Sequence, residues 1–526
     1  MKVAVIGAGF GGLAAAYDLS NAGHAVTVFE SASAVAGLAA GFKEPHWEWW
    51  VEKFYHHWFA TDHSMLGLIR ELGWQDRVRF PRPYTVLLHD GRWYPFDSIV
   101  KALLFPGLGF GVNKVRFGLV GLYLRLTNNW KALEKYTADE WMRKWAGSTV
   151  YEKMWLPLLV GKFGPSYDRV NMAWMWARFK ARTTRLGTFE GGFQAFADLF
   201  GDRLRSQGVE IRLSAQVKNI KPAAGGRILV ESGDSEEFDQ VLVTTSPALL
   251  ARLCPDLPPG YLDGLLRLKS MGAVVMVLSL KHRLSEQGYY WFNLPKDAGF
   301  PFLALVEHTN FIPPENFGGD HIIYAGDYLE VTHEYFSLTD DELLKRFLPA
   351  FSRFNAAFTA DWVKKVWVFR TNYAQPVPLL NHSKNIPEIR APVPGLYFAS
   401  MSQVYPWDRG TNFAVQIGRR AAAGFVRGEA AFDQDLGALL QVLVADLGLF
   451  APGRDAKPGR LLYLLSTAGC VLPIGRHREG CDGLARGRVA HFGIATHIAD
   501  DDDGVEHAGY SFRLRCPPRA GGQAEL

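Results

Sequence analysis

The stretch VAVIGAGFGGLAAAYDLSNAGHAVTVFE, residues 3–30, limits the fold of this chain more than any other feature. Val3 to Ile6 read as a buried strand. Gly7, Gly9 and Gly12 take the G-x-G-x-x-G positions, with Phe10 and Gly11 between them. An alanine-rich helix follows, then Gly23, then a second strand, Val26 to Phe29, ending at Glu30. Each part has a mechanical job. Gly7 permits a tight turn, Gly9 lets backbone approach a pyrophosphate, and Gly12 lets helix and strand pack closely. The helix start offers unpaired N–H groups to the phosphates. Glu30 stands where a carboxylate accepts hydrogen bonds from a ribose hydroxyl, and it disfavours a 2′-phosphate. The motif alone is a weak signal, but strand, helix, second strand and terminal acid all stand in order here. They predict a parallel α/β, Rossmann-like domain that binds a dinucleotide.

A length of 526 residues, 48% hydrophobic and 21% charged, suits a globular chain of two or more domains. The 16 Trp and 35 Phe favour large apolar cavities or interfaces. A net charge of +4 fits anionic ligands or an anionic membrane surface and demands neither. No nucleic-acid partner is expected. Cys254, Cys470, Cys481 and Cys516 match no common zinc spacing, which makes a reduced, cytoplasmic setting the default. The apolar N-terminus reads as a strand rather than a signal peptide, because glycines and a helix follow it. No apolar run reaches the roughly 20 residues of a membrane span. The nearest is Lys101 to Leu126, interrupted by Lys114, Arg116, glycines and a proline. It reads either as core helices of a substrate domain or as a monotopic membrane contact flanked by basic residues.

Further along, EWWVEKFYHHWFATD carries His56 and His57. Neighbours in sequence point different ways, and no carboxylate or cysteine completes a metal set. Aromatic packing near the cofactor, with one histidine turned toward the site, is the expectation. Residues 66–185 read as helical, with an N-cap signal at Thr137 and Glu140. Arg178 and Arg182 share a helical face, to bind a carboxylate or phosphate or simply to be solvated. Gly191 and Gly192 precede an amphipathic helix that leads to strands around Ile211 and Val217, then to a buried strand, Val241 to Thr244. On a strand, Glu307 and Thr309 would face one side and His308 and Asn310 the other; either pair can line a pocket or pack in a core. The strand VPGLYFAS runs straight into YPWDRGTNFAVQIG, residues 405–418. That stretch reads as a loop becoming a helix, with Thr411 or Asn412 as N-cap, Gly410 for close backbone approach, and Asp408 to orient Arg409.

Gly7 to Glu30, EKFYHHWF, WLPLLVGKFG, FEGGFQAFADLF, EHTNFIP and LYFASMSQVYPWDRGTNFAVQIG follow one another in this order. Together they resemble bacterial FAD-dependent oxidoreductases of the flavin amine oxidase, protoporphyrinogen oxidase and phytoene desaturase superfamily. The resemblance covers residues 1 to about 427. It implies an α/β fold of the amine-oxidase type, with a discontinuous Rossmann-like FAD domain and a mixed helical and β-sheet substrate domain. The implied pieces are 1–60, 186–245 and 390–426 for FAD, and 61–185 and 246–389 for substrate. It implies noncovalent FAD, with Gly7, Gly9, Phe10, Gly11 and Gly12 around the pyrophosphate and Glu30 on the adenosine ribose. Val217 would meet the adenine through its backbone. Arg409, Gly410, Thr411 and Asn412 would lie beside the ribityl chain and ring. A second glycine pair and an Arg are common after the second strand in such proteins. This chain keeps Gly37 but has Ala36 and Leu38 in the neighbouring places.

The implied chemistry is hydride transfer from a C–N or C–C bond of a largely apolar or amphiphilic small molecule to flavin N5. The electron acceptor is left open among oxygen, a quinone and a protein. His56, His57, Arg178, Glu307, His308 and Asn310 are the substrate-side candidates; no catalytic acid or base is assigned, and no metal is expected. Two other readings stand beside this one. A redox-neutral isomerase resembling UDP-galactopyranose mutase would use Arg178 and Arg182 on a diphosphate. A non-catalytic binding protein resembling the GDP dissociation inhibitors would need no intact glycine set. Beyond Arg427 one amphipathic helix and then a disordered extension are expected, without a metal site at His477, Cys481, His491 and His497.

Overall fold

In a computed structural model the protein is described for residues 1–427, apart from 110, 182 and 184. The expectations for residues 428–526, and for Arg182, lie outside the described residues.

Val3, Ala4 and Val5 have no exposed surface, as a parallel strand covered on both faces requires. The strand Lys2–Ile6 is the middle of a 5-stranded parallel sheet. Its neighbours are Ala25–Phe29 and then Glu210–Arg212 on one side, and Gln240–Val243 and then Leu396–Phe398 on the other. Taken in chain order, the spatial order is 3-2-1-4-5. It reverses beside the first strand, and ligands bind such sheets in the crevice at that reversal. The chain leaves this sheet after residue 29 and again after 243, and returns each time.

The excursions build a second, 7-stranded mixed sheet. Across it lie Val363–Pro376, Ser270–Leu280, His321–Leu329, Ala304–Glu307, Trp291–Asn293, Thr85–His89 and Arg92–Pro95. Around the sheets run α1 (Phe10–Asn21), α2 (His63–Glu71), α3 (Ile99–Leu104), α4 (Val112–Leu126), α5 (Ala138–Ala146), α6 (Met172–Ala181), α7 (Gly192–Ser206) and α8 (Thr411–Arg427). The Thr137 hydroxyl accepts the Glu140 N–H at 3.1 Å and opens α5, as the capping signal predicts. A helical core gathers Phe105, Met142, Phe163, Trp174 and Trp176. The stretch from Lys101 to Leu126 is broken at the glycines and proline into α3, a short turn and α4.

Two local expectations need correcting. Val217 lies in no strand; it sits in the irregular segment between Arg212 and Asn219, its side chain buried with Ile228 and Phe238. The strand carrying Glu307 ends there, and His308–Asn310 form a 3-10 turn. The alternation expected of Glu307, His308, Thr309 and Asn310 therefore does not apply.

Candidate functional site

The glycine loop joins the first strand to α1. Gly7 has φ +107°, and a Cβ on it would stand 2.7 Å from the Thr244 hydroxyl oxygen. A Cβ on Gly12 would stand 2.0 Å from the Gly7 carbonyl oxygen. Protein packing itself demands glycine at both. Gly9 is different. Its φ of −70° suits any residue, and a Cβ there would meet nothing closer than the Gly37 Cα at 3.9 Å. The space before Gly9 is thus a cradle that the protein does not fill. The residues present fit the pyrophosphate expected of this loop.

Glu30 closes the second strand. Its carboxylate accepts the N–H groups of Ala8 and Ala32, each at 2.8 Å, which ties it to the glycine loop. A carboxylate accepts more bonds than these, so capacity for a ribose hydroxyl remains. Ala36 donates to the Ala8 carbonyl at 2.9 Å and bridges Gly9, yet takes φ +97°. The resembling proteins commonly place glycine here; alanine holds the same turn at a strain of roughly 1–2 kcal/mol. Gly37 follows at φ +57°, and Leu38 is exposed beside it. The Phe10 ring is buried 5.3 Å from Phe196 in the core, so its side chain is a packing anchor.

The second half of the site is the start of α8. The Gly410 carbonyl accepts the Ala414 N–H at 3.0 Å, so Gly410 precedes the helix. Thr411 and Asn412, expected as caps, belong to its first turn. Their side chains serve neighbours. The Thr411 hydroxyl accepts the Trp58 indole N–H at 3.0 Å, and the Asn412 carbonyl oxygen accepts the Met65 N–H at 3.0 Å, capping α2. A Cβ on Gly11 would stand 3.1 Å from the Ala414 carbonyl oxygen, and one on Gly418 would stand 2.1 Å from that of Gly11. The first turns of α1 and α8 therefore touch. A Cβ on Gly410 would meet no protein atom within 4 Å, though its φ of +158° strains any side chain placed there.

Arg409 donates to the Tyr328 hydroxyl and lies over its ring at 5.1 Å. Its Nε is buried without a hydrogen-bond partner. Asp408 accepts the Arg409 backbone N–H at 3.1 Å, but its carboxylate pairs with Arg178 at 3.1 Å. It also accepts from the Trp174 indole at 3.1 Å and from Gln375 at 3.2 Å. Arg178, expected to bind an anion, is thus committed to Asp408 with its side chain 8% exposed, and it stacks over Trp174.

The two histidines do point apart. The His56 ring meets Phe193, with its Nδ1 2.5 Å from the Phe54 carbonyl; burial pushes its pKa down to about 4. His57 turns toward the second sheet, with Nδ1 3.1 Å from the Tyr290 hydroxyl and Trp291 edge-on. Glu307 is wholly buried and accepts the N–H groups of Leu284 and Ser285 at 2.8 and 2.9 Å. Burial pushes its carboxyl up to about 7. Asn310 donates to the Tyr289 carbonyl at 2.8 Å. His308 packs edge-on to Tyr324, held near pKa 4 by burial. These three, expected at a substrate pocket, brace the 284–290 turn and the aromatic core.

Sequence reasoning missed the aromatic group beside Arg409. Tyr55 stands edge-on to Trp291 at 5.1 Å and to Tyr324 at 5.8 Å, and burial with Tyr328 nearby holds its hydroxyl protonated. Lys162 lies over the Tyr328 ring at 4.3 Å. The signal was in Tyr324-x-Gly326-x-Tyr328, one face of a strand, where a Cβ on Gly326 would come within 3.5 Å of the Tyr55 ring.

The model of the flavin-containing amine oxidoreductase family matches residues 10–424. The chain belongs to that family. Its kinship is thus with flavin-containing oxidoreductases. Among curated relatives it is similar to a 15-cis-phytoene desaturase of Synechococcus elongatus, 27% identical over 27% of this chain and 33% of that one. It is also similar to a flavin-containing amine oxidase of Oncorhynchus mykiss, 24% identical over 80% of this chain and 84% of that one. The chain spans a third to a half of the length of the phytoene desaturases it matches. Among solved structures it resembles a protein of Exiguobacterium sp. 255-15 designated a protoporphyrinogen oxidase. The TM-score is 0.65 at 18% identity, covering 81% of this chain and 99% of that one. Such a likeness shows the fold.

Proposed function

We propose that the chain holds FAD noncovalently between the glycine loop and the start of α8, and oxidises a largely apolar or amphiphilic small molecule. When bound, FAD supplies the acceptor for a hydride leaving a C–N or C–C bond. One observation carries the reading: Gly9 and Gly410 both face space that no protein atom fills, in loops that lead into two touching helix starts. Gly9 leaves room for the pyrophosphate at the α1 terminus, and Glu30 accepts from the ribose. Val217 offers backbone to the adenine.

At the other end, the α8 N-terminus supplies positive potential, worth about 0.3–1 kcal/mol at exposed sites and up to ~2 kcal/mol when partly buried. Arg409 adds a fixed cation whose unpartnered Nε is ready to donate. The rings of Tyr55, Trp291 and Tyr328 form an apolar wall next to that cation and keep water off it. The noncovalent link is favoured because Cys254, the cysteine among the described residues, is buried in a separate core with Ile220 and Leu396. Pairing of Arg178 with Asp408 weighs against that arginine serving a diphosphate-binding mutase.

The test is anaerobic mixing of the yellow protein with amines, porphyrinogens, polyenes and lipids, followed by reoxidation with oxygen or a quinone. Bleaching by an apolar member, with flavin released on acid precipitation, supports the reading. A flavin that no class of candidate reduces would overturn it.

A further inference from the structure

The helical hairpin α3–α4 carries apolar side chains that the rest of the described molecule leaves uncovered. Val112, Val115, Leu119, Leu122 and Leu126 recur at heptad-like spacing on α4 and are 53–70% exposed. This stripe lies roughly opposite Val120 and Leu124, which are buried in the helical core. On α3, one turn apart, Val100 and Leu104 are as exposed, and Leu103 comes within 3.8 Å of a Cβ placed on Gly118, so the two helices adjoin. An apolar face this continuous marks an interaction surface.

Charge decides between occupants. Residues 98–133 contain Lys101, Lys114, Arg116, Arg125 and Lys131 and not one Asp or Glu, although Lys101 pairs with Asp97 just ahead of them at 2.8 Å. On the helical wheel Arg116 flanks the stripe on one side, and Lys114 and Arg125 flank it on the other. Arg116 is held by the carbonyls of Lys144 and Trp145, which leave its charge unneutralised. Tyr123, Tyr136 and Trp145, amphipathic aromatics, are about half exposed in the same region. Apolar stripe, basic flanks and aromatic rim form the pattern of a helix lying in a lipid interface. A second copy of the chain would set this basic face against itself, which like charges oppose. At 15 residues α4 is about 22 Å long, too short to cross a bilayer core of ~30 Å, and no helix among the described residues is long and apolar enough to do so.

We infer that α3–α4 is a monotopic docking surface for anionic membranes, with α4 lying in the plane of the interface. The test is flotation of the full, flavin-loaded chain with vesicles of phosphatidylcholine, with and without phosphatidylglycerol. The wild-type chain should float with the anionic vesicles, and about 0.5 M salt should weaken that binding several-fold by screening the basic flanks. The pair Leu119→Glu and Leu122→Glu should lower it by roughly tenfold or more, while circular dichroism and flavin content stay those of the wild type. Leu119→Ala with Leu122→Ala, a gentler change, should give a smaller loss in the same direction. A wild-type chain that stays in the aqueous fraction would overturn the inference. So would equal flotation of the alanine pair and the wild type. So would a concentration-dependent dimer that the glutamate pair turns into monomer, since the occupant is then a second copy.

Discussion

The root of the glycine loop and its rim use the same residue for opposite reasons. At the root, Gly12 lets α1 pack on the Gly7 turn, and Gly418 lets α8 reach the Gly11 backbone. At the rim, Gly9 and Gly410 stand before open space. Root glycines are explained by the chain alone. Gly9, at φ −70°, is explained only by something the chain receives, whereas Gly410, at φ +158°, has a backbone reason as well. A motif of uniform letters thus divides into a folding part and a binding part, and the division is measurable.

The largest effect belongs to the root. Gly12→Val and Gly418→Ala each drive a side chain to about 2 Å from a backbone oxygen. We expect roughly 3 kcal/mol or more of lost stability, or no soluble protein. Wild-type unfolding midpoints in urea for both would erase the distinction.

Next comes Glu52, which braces the start of α7 by accepting the Phe193 N–H at 2.9 Å. Burial pushes its carboxyl up to about 7 from an ordinary 4.5. The folded chain therefore keeps a proton that the unfolded chain gives up. Stability from this group is fully present below pH 4.5 and is lost as pH rises toward 7, by an amount on the order of 3 kcal/mol. Glu52→Gln keeps an acceptor for Phe193 and should flatten that slope. Unfolding curves at a series of pH values read it; a variant with the wild-type slope contradicts the assignment.

The smallest effect is at the rim's edge. Ala36→Gly should relieve the left-handed strain and raise stability by about 1 kcal/mol or less, since glycine's extra unfolded-state freedom offsets part of the gain. A loss of stability would show that the Ala36 methyl, buried in the core around α1, contributes more than its strain takes away.

The first strand, α1, the second strand and Glu30 were legible because hydrophobic period, glycine positions and terminal acid agree within thirty residues. The start of α8 was legible as a helix but not in its details. Thr411 and Asn412 carry capping chemistry, and nothing local says that Asn412 caps α2 while Gly410 precedes α8. Arg178 was misread for a related reason. Its helical face is visible in sequence, whereas its partner Asp408 lies 230 residues away. Glu307, His308 and Asn310 failed as pocket residues because the strand stops at Glu307. The exposed stripe on α4 was half legible: its basic flanks and apolar letters were plain, but which side faced outward depended on packing against α6.

The central claim is that Gly9 is open for a cofactor and not for the fold. Its most direct test is FAD affinity and apo-protein stability measured together on Gly9→Ala and Gly9→Ser, since the Gly9 backbone at φ −70° accepts any side chain. The account predicts apo stabilities within about 0.5 kcal/mol of wild type and FAD affinities weaker by roughly tenfold or more, a change of at least ~1.4 kcal/mol in binding. Variants that hold FAD as tightly as the wild type, or that lose stability before any flavin is added, would contradict it.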